Sequence, residues 1–234
     1  MPLSEWAWIG GGLADAGHLV VAYDRPGMAW SRGPWQLRDA GHAADALAKT
    51  LATAGIPPPY VVVGHSYGGF SARVFAATNK ERVAGLVLLD TTHPDGGGEL
   101  SYATAYRVQA WQAHAGLFEL SPPYDFFWEL PEDERAAANA VSQWPSHLDT
   151  SAEELEAWHT SAAQVKAVPD LGDMPVLVIA AAGPEEHIQL QRDLTRLSTR
   201  SQFEQVNANH MGMLVSPAQA DLVIEAIERF LASI

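Results

Sequence analysis

The chain has 234 residues, with 28 acidic against 14 basic side chains, a formal net charge of −14, nine histidines and no cysteine. That length fits one domain with room for an inserted subdomain. So acidic a chain lacks the basic footprint that nucleic acid or an anionic membrane requires, and without cysteine there are no disulfides, no thiol chemistry and no cysteine-based metal site.

The residues from Met1 to Trp6 carry no basic segment followed by an apolar stretch, and no apolar run reaches membrane-spanning length. The expectation is a cytoplasmic protein. Helical patterns and short apolar runs then alternate. A helix over 6–16 precedes a strand at 19–23, and a helix over 37–54 leads to a strand at 60–63. A helix over 67–78 follows, then a strand at 86–89. Strands at 176–180 and 202–206 flank a helix over 187–197, and a helix over 218–231 closes the pattern. Four of these five runs are nearly continuous in Val, Leu and Ile, as parallel strands covered on both faces are. The alternation predicts an α/β fold with a mostly parallel sheet flanked by helices.

More than eighty residues without a strand signal separate the third and fourth runs. They open on the flexible Asp95-Gly96-Gly97-Gly98 and carry helical patterns over 99–116, 132–144 and 152–166. The third starts at Ser151-Ala152-Glu153-Glu154, a capping-box pattern. We read 95–169 as a helical cap over the site, with 1–94 and 170–234 as the core. Its aromatics (Trp111, Phe118, Tyr124, Phe126, Phe127, Trp128, Trp144 and Trp158) are expected in the cap interior, some lining an apolar pocket. Gly10-Gly11-Gly12 has no strand before it and no lysine in phosphate-loop position, so it reads as a helix-packing device.

The chemistry is concentrated at Gly64-His65-Ser66-Tyr67-Gly68-Gly69, directly after Tyr60-Val61-Val62-Val63. G-x-S-x-G between a buried strand and a helix is the nucleophile elbow. Its sharp turn presents the serine hydroxyl above the sheet, strains the serine backbone, and leaves no room for neighbouring Cβ atoms. The Tyr67 N–H is aimed where an oxyanion would form. Serine needs a base, and His210 in Asn207-Ala208-Asn209-His210-Met211-Gly212 follows the last strand, at the same sheet edge as the elbow. His65 is expected to point away and pack. For the acid, Asp90 ends the strand at 86–89, and Glu185 or Glu186 follows the strand at 176–180. Both sites keep the order Ser, acid, His. Asp24 and Arg25 read as structural, and Glu185-Glu186-His187 lacks the spacing of a metal site.

Tyr23-Asp24-Arg25-Pro26-Gly27, the GHSYGG elbow, the LVLLD strand, the variable insert and the NANHMG loop occur in an order that resembles the α/β-hydrolase superfamily over essentially the whole chain. The resemblance implies a cofactor-free serine hydrolase acting on a carboxylic ester or similar acyl substrate. Ser66 would be nucleophile, His210 base and Tyr67 N–H an oxyanion donor. The usual acid of the superfamily would fall at Glu185 or Glu186, and that of a recognised subset at Asp90. We favour Asp90, because Gly183-Pro184-Glu185-Glu186 lacks the usual Gly-x-x-Asp form. Serine at the nucleophile excludes the dehalogenase and epoxide-hydrolase branches but leaves perhydrolase and hydroxynitrile-lyase chemistry. The resemblance also implies an earlier strand and a His-Gly oxyanion loop that this sequence lacks. Their absence raises a non-catalytic ligand-binding homologue as an alternative. The missing strand would lie between the runs at 19–23 and 60–63, so either those two pair directly or another segment or subunit, as in a homodimer, fills the space.

Overall fold

The computed structural model describes residues 2–32, 37–96, 99–120, 125 and 127–234. Four strands, β1 (Tyr60–His65), β2 (Val83–Leu89), β3 (Val176–Ala180) and β4 (Ser201–Gln205), form one parallel sheet in that order. Parallel neighbours require crossovers. They come as α3 (Gly68–Thr78) between β1 and β2, and α9 (Glu185–Asp193) with the 3-10 turn Leu194–Leu197 between β3 and β4. The strand period of two sorts the core. Val87, Leu89, Leu177 and Ile179 face α1 (Ala7–Asp15) and α11 (Pro217–Leu231), while Leu86, Leu88, Val176 and Val178 face α2 (Ala40–Thr53) and α3. A Cβ on Gly12 would meet Ile224 Cδ1 at 2.5 Å, so this glycine lets α1 lie against α11. The packing role read for the triple glycine falls on this one residue.

The run at 19–23 is not a strand. Leu19 is 81% exposed, and among the described residues the segment forms no ladder with β1. Its sequence has strand propensity, but a strand persists only where a neighbour accepts and donates its backbone hydrogen bonds. Among the described residues the sheet therefore has four strands rather than five, and this run does not pair directly with β1. A cavity separates the two, lined by Leu19, Val20 and Val21 on one side and Val61, Val62 and Val63 on the other.

Among the described residues between β2 and β3 lie five helices: α4 (Glu99–His114), α5 (Leu117–Leu120), α6 (Glu132–Val141), α7 (Pro145–Glu156) and α8 (Trp158–Ala167). The insertion expected after the third strand thus follows the second. No capping box forms at Ser151. Pro145, favoured in a helix's first turn, starts α7 earlier, and Ser151 lies inside it with its Oγ donating to the His147 carbonyl at 2.9 Å. Glu153 and Glu154 instead pair with Arg38 and Arg25 of the core. Phe127 and Trp158 are buried as expected, but Trp111 and Trp128 are 65% and 60% exposed. Gly97, Gly98, Tyr124 and Phe126 lie outside the described residues. No helix among the described residues is long and apolar enough to cross a membrane.

Candidate active site

β1 ends at His65 and α3 begins at Gly68, so Ser66 sits on the turn between them with φ +52°. That left-handed backbone costs a non-glycine residue about 1–2 kcal/mol. It is held from several sides. The Ser66 carbonyl accepts from Gly69 N–H at 3.0 Å and Thr92 N–H at 3.1 Å, and Ser66 N–H donates to the Leu89 carbonyl at 3.3 Å. A Cβ on Gly64 would lie 2.9 Å from the Gly68 carbonyl oxygen, and one on Gly69 would overlap Thr91. Gly68 is different: a Cβ there would meet only Arg25 Nη1, at 3.9 Å. Steric necessity therefore rests on Gly64 and Gly69, not on the second glycine of the five-residue motif.

Asp90, also left-handed at φ +42°, follows β2 and is tied to β3 by its N–H, which donates to the Ile179 carbonyl at 2.7 Å. His210 lies in the loop between β4 and α10 (Gly212–Val215). Asn209 shapes that loop: its side-chain oxygen accepts from Gly212 N–H at 2.8 Å, and its own N–H donates to Gln219 Oε1 at 2.8 Å. Ala182 N–H donates to the Ala208 carbonyl at 2.8 Å, joining the loops after β3 and β4.

These supports bring three predicted residues together. His210 Nε2 lies 3.1 Å from Ser66 Oγ, and His210 Nδ1 lies 2.6 Å from Asp90 Oδ2. The Asp90 side chain is almost fully buried, and its Oδ1 also accepts from Ala181 N–H at 2.9 Å and from His187 Nε2 at 2.7 Å. Burial alone would raise its pKa. The hydrogen bonds from His210, Ala181 and His187 more than reverse this and hold the carboxyl at about 2. An ionised carboxylate only accepts, so His210 carries its proton on Nδ1 and turns a lone pair toward the serine hydroxyl. That arrangement can draw a proton from Ser66 as its oxygen attacks an electrophile.

Glu185 and Glu186 do not join this group; both are exposed on the first turn of α9. The same turn delivers His187 to Asp90, a contact the sequence reading missed. His65 does not turn away. Its Nε2 donates to the His210 carbonyl at 3.0 Å and its ring lies 4.5 Å from the His210 ring, so it forms the floor under that side chain. Burial, aided by the nearby His210, lowers its pKa to about 3, so it stays neutral.

Tyr67 N–H finds no acceptor among the described residues, while the Tyr67 hydroxyl is 2.8 Å from Ser161 Oγ on α8 and donates to the Arg38 carbonyl at 3.4 Å. The elbow is thereby anchored to the insertion. Arg25 makes a two-pronged contact with Glu154 of α7 at 2.6 Å on each arm, and Asp24 accepts Leu3 N–H at 2.8 Å, both structural as expected. Ser66 and His210 open into a cavity of about 1830 Å³ that runs on to the slot beside β1. It exceeds the ~300–1,000 Å³ of an ordinary small-molecule site because it includes that slot. Glu5 lines it, buried, with Oε2 unpartnered among the described residues, and burial pushes its pKa up to about 7.

Residues 3–114 match the model of the alpha/beta hydrolase fold. An uncharacterised protein of Schizosaccharomyces pombe is 27% identical over 221 residues, covering 89% of this chain and 40% of that protein. The chain spans less than half the length of the curated relatives it matches. Among solved structures, a thermophilic esterase from Thermogutta terrifontis superposes with a TM-score of 0.69 at 22% identity, over 100% of this chain and 86% of the esterase. A bromoperoxidase from Bacillus anthracis gives 0.74 at 17% identity, over 99% of this chain and 88% of that one. The protein has the α/β-hydrolase fold.

Proposed function

We propose that the protein is a serine hydrolase of carboxylic esters or related acyl substrates. The hydrogen-bonded chain Ser66–His210–Asp90, at 3.1 and 2.6 Å, carries this reading. Ser66 Oγ attacks the substrate carbonyl carbon while His210 Nε2 takes the hydroxyl proton. The resulting oxyanion accepts a hydrogen bond from Tyr67 N–H. Collapse breaks the ester C–O bond, the alcohol leaves with the proton held by His210, and an acyl group remains on Ser66. A water molecule then gives its proton to His210 and attacks the acyl carbon; collapse breaks the Ser66 Oγ–acyl bond, Oγ takes the proton back from His210, and the carboxylic acid is released. Asp90 stays ionised throughout and supports the imidazolium.

The helices between β2 and β3 act as a cap in this reading. The fold's esterase neighbour supports the reaction class, and the aromatic and aliphatic lining supports an apolar acyl or alcohol group. The test is reaction with a fluorophosphonate probe alongside hydrolysis of a short-chain p-nitrophenyl ester. A folded chain that remains unlabelled at Ser66 would sink the proposal. The extension of the cavity beside β1 supports a second reading, binding of an apolar ligand without turnover. Saturable binding with no hydrolysis above a Ser66→Ala control would favour that one.

A further inference from the structure

We infer that His187 is a positioning residue, a second imidazole that holds the buried Asp90 carboxylate and competes with His210 for its charge. The inference rests on the hydrolase reading above. One carboxylate receives two imidazoles, one on each oxygen: His210 on Oδ2 at 2.6 Å and His187 on Oδ1 at 2.7 Å, with Ala181 N–H sharing Oδ1 at 2.9 Å. The chain makes room for this. A Cβ on Gly183 would stand 3.1 Å from His187 Cδ2, so glycine there lets the ring lie close over the loop. The ring is a third exposed while the carboxylate it touches is almost fully buried. A solvent-facing histidine has no packing reason to reach that carboxylate.

Because the carboxylate only accepts, His187 donates from Nε2 and is fixed in that tautomer. Its bond does two things. It locks the rotation of the carboxyl group, which keeps Oδ2 facing His210. It also withdraws negative charge from Oδ2, since each donor to an anion weakens the others. His187 reaches Ser66 only through Asp90 and His210, so it orients the base rather than reacting.

The experiment compares wild type, His187→Ala and His187→Gln, the last keeping an N–H donor of similar reach. Circular dichroism establishes that each is folded. The low-field proton resonance of the His210–Asp90 hydrogen bond and the rate of fluorophosphonate labelling at Ser66 are then read. His187→Ala is expected to move the resonance downfield, because Oδ2 regains charge, and to slow labelling ~10–100-fold, because the carboxyl's lost orientation toward His210 outweighs the regained charge. Ester hydrolysis is expected to lose kcat with KM unchanged, and His187→Gln to restore most of both signals. A His187→Ala protein with wild-type labelling and an unmoved resonance would overturn the inference, as would a His187→Gln protein no better than the alanine. A wild-type protein unlabelled at Ser66 overturns the hydrolase reading instead, and the resonance alone then decides whether His187 acts on Asp90.

Discussion

The two edges of β1 behave differently. On the β2 edge, after a register shift between Tyr60 and Val61, five residue pairs run in register, from Val61 with Gly85 to His65 with Leu89, and the chain leaving β1 is held by Leu89 and Thr92. On the other edge the backbone faces a cavity and the segment at 19–23 lies exposed across it. Hydrogen bonding propagates from β1 toward β4, and both Asp90 and His210 reach Ser66 from that direction. Ordered chemistry sits on the paired side, and exposed apolar surface on the other.

The comparison breaks first if the paired side carries no reaction. Ser66→Ala should reduce ester hydrolysis at least ~10³-fold with the fold unchanged, read by initial rates and circular dichroism. Next comes the backbone at the elbow. Gly64→Ala, which places a Cβ against the Gly68 carbonyl, should cost ~2–4 kcal/mol in urea unfolding, while Gly68→Ala should cost less than ~1 kcal/mol. Equal losses would mean the elbow's steric demand is wrongly assigned.

Glu5, on the cavity, titrates in the opposite sense to Asp90. Its folded pKa of about 7 lies above the ordinary 4.5, so its ionisation penalises the folded state as pH rises through that window. Glu5→Gln should therefore stabilise the protein by up to ~3 kcal/mol at pH 8 and leave it unchanged near pH 4. Asp90 has a folded value of about 2, below the ordinary 3.8, so its contribution is present above pH 4 and lost as pH falls through 2. That contribution is ~2 kcal/mol, and Asp90→Asn should remove this part of the acid-unfolding profile. The smallest effect belongs to the open side: Leu19→Ser, at an 81% exposed position, should change stability by less than ~0.5 kcal/mol. A large loss there would show that the segment is packed and erase the contrast.

What could be read from the sequence were features that local chain chemistry decides. Ser66 was legible because glycine-flanked serine after a Val run has few other structural explanations. Asp90 and His210 were legible because a parallel sheet delivers its strand ends to one edge. The run at 19–23 misled because propensity describes a residue's fit to a strand and says nothing of whether a partner is there. Ser151 misled because the cap pattern Ser-x-x-Glu is indifferent to a proline six residues earlier that had already started the helix. The partners of His65 and His187 and the burial of Glu5 depend on contacts between segments far apart in sequence, and no local signal marks them.

The arginine clasp between Arg25 and Glu154 has a kinetic consequence. Both side chains are largely shielded from solvent, and Arg38 with Glu153 adds a second tie between the same two parts. If the inserted helices cap the site as proposed, these two ties oppose their swinging open at an oil–water boundary. If the proposed ester hydrolysis holds, velocity should climb smoothly with dissolved ester and show no jump where the substrate begins to form droplets.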